Sequence, residues 1–158
     1  GYGDYCADHV CAAALNVLTD VNHSGAYSRP FKRPIRFPPQ DATIALKSSD
    51  DEWPSPISAC PGYPKPYGLP ITLELGIGQT PAMTAYSITQ NGSRIEACGF
   101  DANSYSNADA ATQRLGREVL KNYGAVAVIP RAPLMSGKRY SVSITANGHK
   151  YRWSFSVR

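Results

Sequence analysis

The sequence predicts an all-β sandwich with one inserted helix. Two alternating runs flank Asn147-Gly148 within residues 138–157, and residues 83–100 repeat this pattern around Asn91-Gly92. Strict alternation places large apolar groups on one face of a strand and hydroxyls and charges on the other. Asn-Gly tolerates the positive φ of a tight hairpin turn. From this alternation we expect antiparallel strands with one buried and one solvated face. Only residues 106–124 have a clear helical pattern.

The last hairpin has the clearest alternating pattern in the sequence. Its first run buries Tyr140, Val142 and Ile144, and its second run buries Tyr151, Trp153, Phe155 and Val157. Tyr140 lies three residues after Gly137, at the start of a late strand. Its hydroxyl either bonds back to the preceding turn, as in the tyrosine corner of sandwich domains, or the residue is an ordinary inward aromatic.

The N-terminal part predicts an appendage and a linker. Residues 12–18 are ambiguous, because three alanines favour a helix whereas Leu15 and Val17 suit a buried strand. Residues 22–39 contain four prolines, which block helix and central strand and leave an extended connector. We divide the chain into a strand pair or appendage with its linker, 1–36, and a sandwich domain, 37–158. No signal peptide is visible, and we expect the natural protein to begin upstream of Gly1.

The remaining elements follow in order. A short strand at 43–47 precedes a loop with six prolines, 48–70, which we expect to be pinned to the body of the domain. A strand follows at 71–75, and after the second hairpin comes the helix at 106–124. Asn107 or Asp109 can cap this helix and Gly124 can close it. Residues 125–130 form a fully apolar strand before the last hairpin. About seven strands with closely spaced turns predict a Greek-key sandwich.

Length and charge set limits on function. A chain of 158 residues with 42% apolar content supports one good-sized domain, or one domain with an appendage. No apolar run of 18 residues is present, so we predict no membrane insertion. The net charge of +4 with 18% charged residues is too mild and scattered to predict nucleic-acid binding. The fullest basic group surrounds the last hairpin, where cations serve solubility and edge protection or bind an anion: Lys138, Arg139, Lys150, Arg152 and Arg158.

The four cysteines predict two disulfides in an oxidising compartment. Three pairings can be drawn; we prefer Cys6–Cys11, across a short turn, and Cys60–Cys98, which ties the proline-rich loop to a strand. Chain entropy makes the first worth roughly 2 kcal/mol and the second roughly 4 kcal/mol. The alternative is four buried free thiols. No Cys-x-x-Cys is present and no histidine lies at zinc-ligand spacing, so we predict no metal site.

The sequence contains no motif that predicts catalysis or a cofactor. His9, His23 and His149 do not pair within a motif, and no Gly-x-Ser-x-Gly nominates a nucleophile. The best candidates for binding are the loop aromatics Trp53, Tyr63 and Tyr67. Framed by prolines, they could form a stacking platform for a sugar or a proline-rich peptide, or they could pack the loop onto the sandwich.

Three segments resemble a known family: "EWPSP…CPGYP…GLPITLELG", "VIPRAPLMSGKRYSVSI" and "YRWSFSV". Over roughly residues 35–158 they are similar to the immunoglobulin-like domain that follows the CAP (SCP-like, cysteine-rich secretory protein) domain in bacterial exported proteins. The resemblance implies an immunoglobulin-like or fibronectin-III-like Greek-key sandwich. It implies that "GYGDYC" and "AALNVLTD" are the end of the CAP domain, which favours strand for residues 12–18. The His and Glu pocket residues of that family lie outside this chain.

The resulting expectation is a non-catalytic module of a larger secreted, periplasmic or cell-surface protein, acting in spacing, protein–protein contact or adhesion. Its partner would be a protein or a cell-surface glycan. One alternative is a carbohydrate-binding module that recognises cell-wall polysaccharide through Trp53, Tyr63 and Tyr67. Another is a fragment of a hydrolase whose catalytic part lies elsewhere. Exposed, coplanar aromatics favour the carbohydrate module, and buried aromatics favour the contact module.

Overall fold

The computed structural model describes residues 34–50 and 52–158, together with the backbone of two short N-terminal strands, β1 (Tyr5–Ala7) and β2 (Val10–Ala12). These two strands pair antiparallel with Cys6 opposite Cys11. Their side chains lie outside the described part, so the Cys6–Cys11 disulfide stays a prediction. Beyond Ala12, the ambiguous run at 12–18 also lies outside it.

The described residues are predominantly β, with one α-helix. The strands are β3 (Ile35–Phe37), β4 (Thr43–Ile44), β5 (Ser48–Ser49), β6 (Tyr67–Gly68), β7 (Ile71–Glu74), β8 (Met83–Gln90), β9 (Ser93–Ile95), β10 (Ala97–Phe100), β11 (Ala125–Pro130), β12 (Lys138–Ala146) and β13 (His149–Val157). The helix α1 spans Ala110–Tyr123, and a 3-10 turn spans Pro56–Ala59. A four-stranded sheet has the order β10-β11-β7-β3, and a five-stranded sheet has the order β4-β13-β12-β8-β9. The strands β5 and β6 form a separate two-stranded ladder.

The two larger sheets share one apolar core. Ile71 and Val126 enter it from the four-stranded sheet, and Ile88, Ile144 and Phe155 enter it from the five-stranded sheet, each 0% exposed. The inward residues of β12 and β13 are those that the alternation predicts. Trp153 adds a long-range tie, because its indole N–H donates to the Pro38 carbonyl at 2.9 Å. The all-β prediction with one helix is therefore confirmed at this level.

A second core covers the other face of the four-stranded sheet. Ala125, Ala127 and Ile129 point away from the first core and pack with Phe100 and Leu120. The strand β11 is consequently buried on both faces, which explains its uninterrupted apolar sequence. Burying both sheet faces requires a third layer, and α1 together with the loop at 48–70 supplies it.

The helix has the caps that the sequence predicts. Of the two candidate N-caps, Asp109 is used: its carboxylate accepts a hydrogen bond from the Thr112 amide at 2.7 Å. Gly124 ends the helix at φ 60°, where a Cβ would lie 2.2 Å from the Gly76 carbonyl oxygen. Glycine is therefore needed both for the left-handed conformation and for the close approach of the Gly76 turn.

The second hairpin differs from its prediction in one respect. The turn is as predicted, with φ 50° at Asn91 and 82° at Gly92. However, only β9 pairs with β8, and β10 crosses to the other sheet and pairs with β11. The single alternating run therefore supplies strands to two sheets, because the pairing of 97–100 is decided by the distant β11.

The proline-rich loop is pinned, as expected. Ser48 and Ser49 pair with Gly68 and Tyr67 to close it, and a disulfide joins Cys60 to Cys98, 38 residues apart. The sequence predicts the same pairing. The disulfide connects the loop to β10, so the loop is held at its base and at its middle.

The predicted linker contributes a strand. The strand β3 lies across the predicted boundary between residues 36 and 37, and it pairs with β7 from Ile35 to Phe37. Its edge position explains how a proline-dense segment joins a sheet, since an edge strand leaves one row of backbone groups unpaired. The four-stranded sheet thus begins at Ile35, two residues before the predicted start of the domain.

Candidate functional site

Two of the three loop aromatics are engaged in packing. Tyr67 is 1% exposed and belongs to the second core, so its ring is not available to a ligand in solution and we do not retain it as a stacking residue. Tyr63 is half-buried, and the Arg131 guanidinium lies over its ring, 5.3 Å from the centroid. Arg131 also bonds to the Gly62 carbonyl at 2.9 Å and to the Glu96 carboxylate at 3.2 Å. Tyr63 thus helps to attach the loop to the sheets.

Trp53 is the loop aromatic that remains at the surface, 39% exposed. Its neighbour Glu52 is half-buried and accepts a hydrogen bond from the Ser49 hydroxyl at 2.6 Å. Burial raises the pKa of Glu52, against the opposing effect of this hydrogen bond. The structure therefore does not bring Trp53, Tyr63 and Tyr67 together as one exposed platform.

A different surface gathers polar groups on the outer side of the five-stranded sheet. In the middle of that sheet, Ser143 lies opposite Arg152 on β13 and opposite Ser87 on β8. Short hydroxyls and cations continue along the same three strands. We call this surface the hydroxyl-and-cation face, and it consists of Ser87, Thr89, Ser141, Ser143, Thr145, Lys150, Arg152 and Ser154.

The cations on this face and beside it differ in their contacts. At its end, Arg139 bonds to the Asp41 carboxylate and to the Ser154 hydroxyl. Hydrogen bonds from Gln40 and Arg139 hold the pKa of Asp41 below its ordinary value. Arg152 and Lys150 are exposed, and within residues 34–50 and 52–158 neither forms an ion pair. Of the basic group noted in the sequence, these two are the cations that the face presents to solvent.

A cleft of about 370 Å³ lies against the helix. One wall is the face of α1 that carries Gln113, Arg114, Arg117 and Lys121, together with Ala110 and Glu118. The opposite wall is formed by Thr80, Ala102 and Asn103. We call this space the helix cleft.

A buried aspartate fixes one wall of the helix cleft. Asp101 is 5% exposed, and its carboxylate accepts hydrogen bonds from the amides of Met83 (2.9 Å), Asn103 (2.8 Å) and Ser104 (2.9 Å). Burial alone would raise its pKa, but these hydrogen bonds outweigh it, so the pKa of Asp101 lies below its ordinary value. The carboxylate therefore holds the 101–104 turn against the start of β8.

Nowhere in 34–50 and 52–158 do three or more His, Cys, Asp or Glu side chains come together to hold a metal ion. The one helix in that part of the chain is neither long enough nor apolar enough to cross a membrane.

In the comparison with known proteins, no protein-family model matches the chain, and no curated protein is significantly similar to it. The resemblance noted in the sequence is therefore carried by its residues alone.

The sequence anticipated one of these surfaces and missed the other. Alternation assigned the hydroxyls and cations of the last hairpin to the solvated face, which is where they lie. The helix cleft depends on where α1 lies relative to residues 80 and 103, which no local pattern encodes. The available signal was the spacing of Arg114, Arg117 and Lys121, which share one face of a helix.

Proposed function

We propose that this chain is a non-catalytic, immunoglobulin-like module of a larger exported or cell-surface protein. It acts in spacing and in contact with a surface partner through the hydroxyl-and-cation face. The observation that carries the proposal is the strand order of the two sheets.

The strand order supports the immunoglobulin-like assignment. In such sandwiches the strands A, B, E and D share one sheet and C, F and G the other, with C′ added beside C in variable-type domains. Taking β3, β7, β11 and β10 as A, B, E and D gives the order of the four-stranded sheet. Taking β8, β9, β12 and β13 as C, C′, F and G gives the order in the five-stranded sheet, where β4 pairs parallel with β13 at the edge.

Tyr140 supports the same assignment. It lies near the start of β12, the strand taken as F, and is 1% exposed. Its hydroxyl accepts a hydrogen bond from the Met135 amide at 2.8 Å. A tyrosine at this corner that bonds to the backbone a few residues upstream is the tyrosine-corner arrangement of these sandwiches.

Two features depart from the antibody pattern. The Cys60–Cys98 disulfide joins the loop before β7 to β10, whereas antibody domains link strands B and F. The buried tryptophan, Trp153, lies on β13 rather than on the strand taken as C. We therefore propose an immunoglobulin-like strand order in which the disulfide and the buried tryptophan occupy positions that differ from those in antibody domains.

The chemistry of the outer face favours a polar, reversible contact. Serine and threonine lose little side-chain entropy when they are immobilised, and Arg152 offers five donors in a planar fork. The face carries no large apolar side chain to act as a buried anchor of the kind that dominates tight interfaces. Lys150 and Arg152, which form no ion pair with any described residue, favour a partner with acidic groups.

The proposal is tested by the binding of the full 158-residue chain to isolated bacterial cell walls. We expect a double variant, Ser143→Glu with Arg152→Glu, to weaken binding about tenfold or more, because it places acidic groups where the face has hydroxyl and cation. Lys65→Glu is the matched control, since Lys65 is exposed on the proline-rich loop. No binding by the wild type, or equal binding by all three proteins, overturns the proposal.

Trp53→Ala serves as the arm for the carbohydrate alternative. If Trp53→Ala abolishes binding while the double variant binds normally, the loop is the binding surface and the face is not. Circular dichroism of each variant establishes that the fold is intact.

A further inference from the structure

We propose that the helix cleft binds an anionic sugar unit, either a hexuronate or a hexose phosphate. This site is separate from the hydroxyl-and-cation face and does not depend on the function proposed for that face. It rests on the shape of the cleft, its charge, and the way its guanidinium and walls are held.

The charge of the cleft selects an anion. Arg114, Arg117 and Lys121 line it with a single carboxylate, Glu118, so the lining carries an excess of positive charge. Arginine pairs with carboxylate and phosphate through two parallel hydrogen bonds, which are stronger than bonds between neutral groups. The favoured ligand therefore carries at least one such group.

One guanidinium is already oriented. The Arg117 Nε–H donates to the Tyr105 carbonyl at 2.9 Å, and Tyr105 is itself 2% exposed. This bond leaves the two terminal nitrogens of Arg117 as donors. A side chain that is fixed before binding loses less conformational entropy when the ligand arrives.

The uncharged lining suits hydroxyl groups. Thr80, Asn103 and Gln113 contribute a hydroxyl and two amides to the cleft. The Gln113 carbonyl oxygen accepts from the Asn107 amide at 3.1 Å, which leaves its NH₂ group as a donor. None of the described residues that line the cleft is aromatic, so a neutral sugar would lack a stacking surface. A volume of about 370 Å³ accommodates a single sugar with its anionic group.

Close packing and hydrogen bonds hold the residues around the cleft. A Cβ at Gly116 would lie 2.3 Å from the Tyr105 ring, so the helix packs directly against this tyrosine. Gly124 approaches the Gly76 turn, which leads to Thr80, and the Asp101 carboxylate holds Asn103. Both sides of the cleft are thus set before a ligand binds.

The first test is an NMR titration of the ¹⁵N-labelled full chain with galacturonate, glucose 6-phosphate, inorganic phosphate and neutral glucose. We expect saturable shifts of the amides of Arg114, Arg117 and Lys121 with galacturonate or glucose 6-phosphate. Which of the two binds tells whether the anion is a carboxylate or a phosphate. Shifts with glucose as large as those with the anions, equal binding of inorganic phosphate and glucose 6-phosphate, or no shifts in the cleft overturns the proposal.

Substitutions in the cleft supply the second test. They replace Arg114, Lys121 and Glu118, whose side chains make no hydrogen bond in the described structure. Arg114→Gln and Lys121→Gln are each expected to weaken binding about tenfold, the loss expected for one charge-assisted contact. Glu118→Gln is expected to tighten binding about threefold, because it removes the like charge. Arg158→Gln, outside the cleft, is the control and leaves affinity unchanged. Weaker binding by Glu118→Gln, or unchanged binding by both cation variants, contradicts the proposal.

Discussion

Single hydrogen bonds on buried side chains determine how the chain turns between its elements. Tyr140 stacks on Phe155 with ring centroids 5.6 Å apart, and its hydroxyl both accepts from Met135 and donates to Gln90 at 3.3 Å. The sequence left two readings of this residue open, and the structure has the tyrosine-corner contact. Alternation predicted that the ring points inward. It could not predict the bond to Met135, because that depends on the path of the turn.

Replacing Tyr140 by phenylalanine removes both bonds while keeping the ring. We expect the free energy of unfolding to fall by about 1–2 kcal/mol, the usual cost of losing a buried hydrogen-bonded hydroxyl. Urea denaturation measures the change. Tyr151→Phe is the matched control, because the hydroxyl of this half-buried tyrosine on the same hairpin makes no hydrogen bond in the described structure. Equal stability of both variants contradicts the role given to the corner.

The sequence predicts those elements that are determined by a few adjacent residues. The caps of α1 and the Asn-Gly turns follow from a few adjacent residues, and the structure has them where the sequence places them. The crossing of β10 to the other sheet and the pairing of β3 depend on partners 27 to 39 residues away. Period-2 alternation predicts which side chains of a strand point inward, but it does not predict which strand lies beside it. The sequence therefore did not predict the pairing of β10 or of β3.

We expect the stability of the turn at 101–104 to depend on pH. Its carboxylate, Asp101, has a native pKa below the ordinary value of 3.8. A depressed native pKa means that the stabilisation is fully present above the unfolded value and is lost as pH falls through the native value. We expect Asp101→Asn to cost about 2 kcal/mol of unfolding free energy at pH 7.

The difference between wild type and Asp101→Asn should shrink as the pH falls below 3.8. Urea denaturation of both proteins across this range measures it. A constant difference from pH 7 to the acid end would show that the carboxylate charge does not hold the turn. Asp109→Asn is the comparison, since this carboxylate also accepts backbone hydrogen bonds but is exposed.

At the scale of the molecule, the second core determines which outer sheet face is covered and which stays at the surface. The second core covers the outer face of the four-stranded sheet with α1 and the proline-rich loop, so that face is structural. The outer face of the five-stranded sheet keeps its hydroxyls and cations at the surface. Alternation alone could not tell which sheet would be covered, because the covering layer comes from segments distant in sequence.

Binding through the hydroxyl-and-cation face is tested by acetylating the lysines of the full chain, free and bound to isolated bacterial cell walls. Lys150 lies on the hydroxyl-and-cation face, Lys65 on the proline-rich loop and Lys121 in the helix cleft, and all three are exposed. We expect binding to lower the acetylation of Lys150 several-fold and to leave that of Lys65 unchanged. Protection of Lys65 or Lys121 with Lys150 still fully reactive would contradict it.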